Sequence, residues 1–207
     1  MLFRSLFLRF EGGLTIHSHL RLTGSWGTYA SGARWRRGAH RAWLIVSRGG
    51  HDVVEFDGPV LELLTDARAR NDPRIALLGP DIIAPDFDPA QVLRRLREDD
   101  PTRPVGDALL DQRSVAGIGN LWKCEACWEA QIDPWRATAM TSNDEILALL
   151  SAVRPRMQAS AAHGMTSRDN RVYGRAGRPC RRCETSIAVR GQGDGNRPTY
   201  WCPGCQR

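Results

Sequence analysis

Apolar and polar positions alternate through much of the first 80 residues, and turns that contain glycine separate the alternating runs. Alternation with a period of two places apolar side chains on one face of a strand, and short apolar runs are typical of buried strands. Short strands at this spacing predict a sandwich or a small barrel. The predicted strands are residues 6–10, 14–20, 42–47 and 53–56.

Near residue 84 the pattern changes to apolar residues at helical spacing. Asp88 followed by Pro89 is typical of a helix start, with aspartate as the N-cap and proline in the first turn. Ser142 and Glu145 have the spacing of a capping box, which predicts another helix towards Gln158. The remaining predicted helices are residues 90–97, 105–110, 114–116 and 121–130.

Four cysteines near the C-terminus form two C-x2-C pairs with 18 residues between the pairs. Each pair can bind a tetrahedral metal from one tight turn, so the spacing predicts a single structural zinc ion. Pro203-Gly204 and a group of glycines between the pairs indicate a β-hairpin with a glycine-rich tip. Two disulfides are the alternative, which the metal-type spacing disfavours. The predicted ligands are Cys180, Cys183, Cys202 and Cys205.

Composition narrows the range of partners. The 207 residues have a net charge of +6, which favours a polyanionic partner, and no apolar run reaches the length of a membrane span. These features predict a soluble, cytoplasmic protein. Lys123 is the only lysine, so arginine carries nearly all the positive charge. Arginine suits bidentate phosphate contacts but cannot form a Schiff base.

Two further motifs admit both structural and functional interpretations. The sequence Gly117-Ile118-Gly119-Asn120 separates two predicted helices, so its backbone N–H groups can bind an anion at a helix N-terminus. On the motif alone, simple packing is the favoured interpretation, and the neighbouring residues and the cysteine-rich segment strengthen the functional one. Cys124 and Cys127 form a third C-x2-C pair within a predicted helix, and two buried thiols are the favoured interpretation.

Histidine and arginine clusters are less specific. His17 and His19 share one face of a predicted strand, and a packed or surface pair is favoured over a metal site. Arginines surround Trp35 and also continue from residue 168 into the cysteine-rich segment, where a solvated basic face is the default interpretation. A basic hairpin can also lie along phosphates, and Arg197 near its tip is the favoured contact.

Several segments together resemble the formamidopyrimidine-DNA glycosylase/endonuclease VIII family, and within it the actinobacterial endonuclease VIII-like branch. They span nearly the whole chain in the order of that family. The segments are IHSHLRLTGSW at 16–26, LGPD at 78–81, LLDQRSVAGIGN at 109–120, VYGRAG at 172–177 and YWCPGCQ at 200–206.

The resemblance implies an α+β fold that binds damaged DNA across a cleft between two domains. It predicts a truncated β-sandwich domain at 1–83, a helix-two-turn-helix domain at 84–162, and a linker with a zinc-binding β-hairpin at 163–207. The implied function is base excision repair by a monomeric DNA glycosylase/AP lyase. Its implied partner is double-stranded DNA that contains an oxidised base or an abasic site.

The resemblance also assigns roles to residues. His19, Asn120 and Arg197 would contact the phosphates around the lesion, and Leu22 would fill the gap left by the flipped base. Glu125 matches a carboxylate near the active site of the family. The nucleophile of the family is an N-terminal proline followed by glutamate, whereas positions 2 and 3 here are leucine and phenylalanine. The catalytic residues are therefore unassigned.

This departure leaves alternatives open. We expect either a gene model with a late start, which is favoured, or an N-terminally truncated paralogue. The sequence as given offers two candidate amines, the α-amine of residue 1 and Lys123, and for Lys123 a phosphate contact or an exposed lysine is the favoured interpretation. The competing functions are a catalytically inactive module that binds damaged DNA and a zinc-ribbon module for protein interaction.

Overall fold

The computed structural model describes residues 5–21, 23–164 and 169–207. The chain divides into two compact units, Met1–Ala76 and Leu77–Arg207. The first unit contains six strands and two short helices, and the second contains the long helices and the cysteine-rich hairpin. The helical segment and the hairpin thus share one compact unit, and the division into three domains stays a prediction.

The first unit consists of two three-stranded antiparallel sheets, with strand orders β1-β2-β6 and β3-β5-β4. The predicted β-rich segment is confirmed, and two of its strands, β3 and β6, were not predicted. The elements are β1 (Ser5–Phe10), β2 (Leu14–His19), β3 (Ser25–Ala30), β4 (Ala42–Arg48), β5 (His51–Phe56), β6 (Val60–Thr65), α1 (Asp66–Arg70) and α2 (Pro73–Ala76).

The two sheets are joined by a buried polar contact. Ser18 Oγ on β2 donates a hydrogen bond of 2.6 Å to Glu55 Oε1 on β5. Burial raises the pKa of the Glu55 carboxyl, and the hydrogen bond from Ser18 opposes this only in part. Phe56 on the same strand is 1% exposed and packs edge-on against Trp35, with the ring centroids 5.8 Å apart. Trp35 therefore belongs to the packed interior of the unit and not to a basic surface alone.

The second unit is built around a helical core. Apolar side chains from its three longer helices pack together, including Val92, Leu96, Leu149 and Val153. The predicted N-cap is confirmed, because Asp88 accepts a hydrogen bond of 2.9 Å from the Ala90 backbone N–H. The elements are α3 (Pro89–Glu98), α4 (Val105–Ala108), α5 (Asn120–Glu129), α6 (Asn143–His163), β7 (Ala188–Gln192) and β8 (Arg197–Trp201).

One predicted helix is wrong. Residues 114–116 form a turn and an isolated bridge, in which the Ala116 N–H donates to the Pro80 carbonyl at 2.9 Å. Gly79 permits this close approach, because a Cβ there would lie 2.6 Å from the Ser114 carbonyl oxygen. Gly117 then turns the chain with a φ of +96° before α5 begins. Pairing with a distant segment thus replaces the local helix.

The longest helix begins as its sequence predicts. Ser142 accepts from the Glu145 backbone N–H at 3.2 Å, and the Glu145 carboxylate accepts from the Ser142 N–H at 2.7 Å. This capping box satisfies backbone donors at the N-terminus of α6. Helix α6 continues to His163, five residues beyond the predicted end. Within the described ranges, no helix is both long enough and apolar enough to cross a membrane.

Candidate nucleic-acid interface and metal centre

The four cysteines near the C-terminus converge on one point. The sulfur atoms of Cys180, Cys183, Cys202 and Cys205 all lie within 4.8 Å of one another. Two of the Sγ–Sγ distances are 3.9 Å and 3.3 Å. A tetrahedral metal with bonds of about 2.3 Å requires thiolates about 3.8 Å apart, so the donor set fits a zinc ion.

The surroundings of the cluster lower the pKa of one thiol and raise the pKa of another. Burial alone would raise the pKa of the Cys180 thiol, but N–H groups of Arg182 and Trp128 lower it to about 6. Burial and the neighbouring Cys183 thiol raise the pKa of Cys202 to about 12. Four thiolates this close together therefore require a cation among them.

Helix α5 presents its N-terminus next to the hairpin of β7 and β8. Gly119 is the N-cap, so the N–H groups of the first turn lack partners within the helix. Asn120 is 8% exposed and donates through Nδ2 to the Pro198 carbonyl at 2.9 Å. Its Oδ1 is buried without a hydrogen-bond partner in the described chain. An unpaired buried polar atom at a helix N-terminus is typical of a ligand or water site.

Arg197 begins strand β8, directly before the residue that Asn120 holds. Its side chain is partly exposed and forms no ion pair within the described part of the chain. The tip that precedes it contains Gly193, whose φ is +66°. A Cβ at Gly193 would lie 2.6 Å from the Asp107 carboxylate, so this tight tip packs against α4. The structure thus brings Asn120 and Arg197 to one end of the hairpin.

Lys123 is buried and does not face solvent, so its prediction as an exposed lysine or a phosphate contact is wrong. Its exposed fraction is 0%, and its Nζ contacts Thr199 Oγ1 and lies 3.2 Å from Gln192 Oε1. The sequence interpretation missed these two polar partners, because nothing in their spacing identifies them as buried. Burial lowers the pKa of Lys123.

The third cysteine pair contains buried thiols, as predicted. Cys124 and Cys127 are both 0% exposed and take no part in the four-sulfur cluster. Cys124 Sγ accepts from the Tyr200 N–H at 3.4 Å. It packs beside Trp128 and Ile187 in the apolar core of the cysteine-rich segment at 180–205, which we call the finger. Burial raises the pKa of both thiols. Both cysteines therefore serve packing.

Glu125 is fully buried and anchors a backbone segment. Its carboxylate accepts hydrogen bonds of 2.8–3.1 Å from the N–H groups of three consecutive residues, Arg171, Val172 and Tyr173. Arg156 completes the shell with an ion pair of 2.9 Å to Oε2. Both carboxylate oxygens of Glu125 thus accept hydrogen bonds from the protein, and this requires a carboxylate at position 125. Arg156 had no recognisable signal in the sequence.

In the first unit, His17 and His19 occupy alternate positions of β2. His17 is 2% exposed, lies 2.9 Å from Glu62 Oε2 and stacks on Phe7 with ring centroids 4.4 Å apart. His19 is partly buried, and burial followed by the nearby His17 lowers its pKa. The histidines are a packed pair, as favoured from the sequence. Leu22, predicted to fill the gap of a flipped base, lies outside the described residues.

Comparisons with known proteins identify the family of the chain. The profile of the family described as "Formamidopyrimidine-DNA glycosylase H2TH domain" matches residues 78–171. The chain is 43% identical over 212 residues to a probable endonuclease 8 2 of Streptomyces coelicolor, covering 98% of this chain and 76% of the relative. It is 36% identical to a DNA-(apurinic or apyrimidinic site) lyase of Mycolicibacterium smegmatis, covering 98% of this chain and 79% of that relative.

Solved structures show the same fold. A formamidopyrimidine-DNA glycosylase of Lactococcus lactis, bound to DNA with an AP site, matches with a TM-score of 0.80 and 24% identity. That match covers 100% of this chain and 79% of the solved chain. Fold and sequence together define a protein with a helix-two-turn-helix domain and a cysteine finger. The chain belongs to the formamidopyrimidine-DNA glycosylase/endonuclease VIII family.

Replacement of Glu125 by glutamine tests its anchoring role. The variant places an amide N–H₂ against N–H donors and leaves Arg156 without its buried partner. We expect a loss of roughly 3 kcal/mol in the free energy of unfolding, measured by urea denaturation at neutral pH.

Glu129→Gln is the matched control. Glu129 also pairs with Arg156, at 3.1 Å, but it is 24% exposed. Its replacement should cost no more than about 1 kcal/mol. Equal losses in the two variants would contradict the anchoring role of Glu125.

Proposed function

We propose that this protein is a base-excision-repair DNA glycosylase and AP lyase that acts on oxidised bases and abasic sites in double-stranded DNA. The hydrogen bond from Asn120 to the Pro198 carbonyl carries the proposal. It holds a helix N-terminus beside Arg197 on a finger hairpin, in a chain whose relatives are named as endonucleases 8 and an AP-site lyase. We propose that it works as a monomer in the bacterial cytoplasm.

The phosphate contacts follow from the chemistry of three residues. The N–H groups at the start of α5, which have no partner within the helix, favour an anion next to Asn120. Arg197 supplies a partly exposed guanidinium that can bind phosphate oxygens. His19 has a lowered pKa, so at neutral pH its imidazole can donate one hydrogen bond without carrying a charge. A chain with a net charge of +6 complements the polyanion.

The cluster of four cysteines supports the proposed placement of Arg197. We propose that one zinc ion is bound by the four clustered thiolates and has a structural role. Four protein ligands leave no open coordination position for a reacting group. The ion would stabilise the base of the hairpin whose tip carries Arg197.

The covalent step requires an amine. A bifunctional glycosylase attacks the C1′ atom of the sugar with an unprotonated amine, so that the damaged base leaves and a Schiff base forms. Elimination then releases the 3′ phosphate. Lys123, the only lysine, is 0% exposed and engaged with Thr199. Glu125 is saturated by backbone N–H groups. Lys123 is thus not placed to supply the amine, and the catalytic residues stay unassigned.

Borohydride trapping tests the proposed chemistry. Incubation with an abasic duplex and sodium borohydride should reduce the Schiff base to a permanent protein–DNA bond. Peptide mass spectrometry should locate this bond outside the peptide that contains Lys123, because Lys123 is buried. Binding without an adduct would favour an inactive module for damaged DNA, whereas no DNA binding at all would favour a protein-interaction module.

Removal of the metal tests the structural role of the zinc ion. A chelator should lower the midpoint of thermal unfolding and abolish binding to an abasic duplex, because the finger core loses its central cation. Added zinc should restore both properties. Unchanged unfolding in a protein shown to be metal-free by elemental analysis would contradict the assignment.

Replacement of Arg197 tests the phosphate contact. Arg197→Ala should weaken binding to abasic duplex several-fold and reduce the slope of log K against log salt by about one unit. Arg190→Ala is the matched control on the same hairpin, because the Arg190 guanidinium lies 4.1 Å from the ring centroid of Trp135. An unchanged salt slope in Arg197→Ala would contradict the contact.

A further inference from the structure

A buried polar network lies between α5 and the hairpin. The Lys123 ammonium contacts Thr199 Oγ1 and lies 3.2 Å from Gln192 Oε1, and Thr199 Oγ1 lies 2.9 Å from the same oxygen. Gln192 is 4% exposed, and Thr199 and Lys123 are 0% exposed. Gln192 Nε2 also donates to the Pro134 carbonyl at 2.7 Å. The network therefore connects helix, hairpin and loop in the interior of the second unit.

The chain makes room for this network at a glycine. Gly106 lies in α4, and a Cβ there would approach the Gln192 side-chain amide to 2.8 Å and the Pro134 carbonyl oxygen to 2.9 Å. Any larger residue at position 106 would displace Gln192, which is the partner of Lys123. Gly106 therefore leaves the space that the side chain of Gln192 occupies.

The network holds the same stretch of β8 that carries the proposed phosphate contact. Asn120 binds the carbonyl of Pro198, and Lys123, about one helical turn later, binds the side chain of the next residue, Thr199. Arg197 directly precedes Pro198 on the same strand. Two attachments one turn apart fix the position of β8 along α5 as well as its distance from the helix.

A buried ammonium with neutral partners is costly, which argues against a purely stabilising role. Burial disfavours the charged form, and an apolar side chain of similar length could fill the same space. The titratable groups around Lys123 are the carboxylate of Asp107 on α4, the guanidinium of Arg197 on β8, and the thiols of Cys124 and Cys127 on α5. The Arg197 guanidinium is thus close enough to Lys123 for their charges to interact.

We propose that Lys123 is a positioning residue for DNA binding, which fixes strand β8 on α5 so that Asn120 and Arg197 together meet one segment of the phosphate backbone. The proposal rests on the proposed function and extends it to a residue that does not touch DNA. Lys123 contacts Thr199 and Gln192 and so acts on DNA only through the position of β8. Because Arg197 is the residue of β8 that would contact phosphate, the effect of Lys123 on binding requires Arg197.

A double-mutant cycle on binding to a duplex with a tetrahydrofuran abasic analogue tests the proposal. Lys123→Met should weaken binding about tenfold, as expected for a lost charged hydrogen bond. In the Arg197→Ala background, Lys123→Met should change affinity by no more than about twofold, because both changes disable the same contact. An affinity of Lys123→Met equal to that of wild type, or fully multiplicative effects, would overturn the proposal.

Two further comparisons separate positioning from loss of stability. Arg154→Met is the matched control, because the Arg154 guanidinium donates to the carbonyls of Ile82 and Ala84, which belong to neither α5 nor the hairpin. It should lower the unfolding midpoint but leave DNA affinity unchanged. Thr199→Val should weaken binding as much as Lys123→Met does. Thr199→Ser keeps the hydroxyl and should bind like wild type. This pair decides the question even if Lys123→Met does not fold, and equal affinity of the two Thr199 variants would overturn the proposal.

The same experiment distinguishes failure of this inference from failure of the proposed function. If wild type binds the abasic duplex no better than an undamaged duplex, the proposed function fails and the inference fails with it. If wild type binds selectively and Arg197→Ala weakens binding, but Lys123→Met and Thr199→Val do not, only the positioning role of Lys123 is overturned.

Discussion

The packing of helix α5 against strand β8 is the interaction on which the rest of the second unit depends. Seven residues of this ten-residue helix are buried, so it has almost no solvent-facing side. Asn120 and Lys123 hold β8, Glu125 holds the backbone of residues 171–173, and Trp128 donates to a finger sulfur. One helix therefore aligns the N–H groups at its own N-terminus, the hairpin and the four-cysteine cluster.

Two opposite buried charges make this arrangement cooperative. Lys123 and Glu125 lie two residues apart on α5, and both are 0% exposed. Glu125 is satisfied by an ion pair and by backbone N–H groups, whereas Lys123 has only neutral hydrogen-bond partners in the hairpin. A buried charge is costly once its partners leave. The helix and the finger are thus expected to order together, and a metal bound by the four cysteines would stabilise α5 as well as the finger.

The sequence revealed those features that depend on local chemistry. The C-x2-C spacing, the caps at Asp88 and Ser142, and the glycine-rich tip of the hairpin each follow from rules that involve a few neighbouring residues. The strand β6 was missed because its run Val-Leu-Glu-Leu-Leu-Thr fits a helix as well as a strand. Residues 114–116 were assigned wrongly because a distant segment, 80–82, pairs with them.

The candidate site was only partly visible for a similar reason. The family resemblance assigned Asn120, which follows two glycines at a helix start, and Arg197 near a hairpin tip, and their phosphate roles stay predictions. The roles of Lys123 and Glu125 depend on partners 31 to 76 residues away, which no local pattern reveals. Residue type was a poor guide, since a lysine is rarely fully buried and a carboxylate near a predicted site suggests catalysis more readily than anchoring.

Hydrogen exchange on the wild-type protein, with and without a duplex containing an abasic analogue, tests the central claim most directly. The N–H groups at the start of α5 lack helical partners and should exchange rapidly in the free protein. If Asn120 and Arg197 bind one phosphate segment, residues 119–122 and 193–198 should become protected together on binding. A complex that forms while both segments exchange as in the free protein would contradict the account.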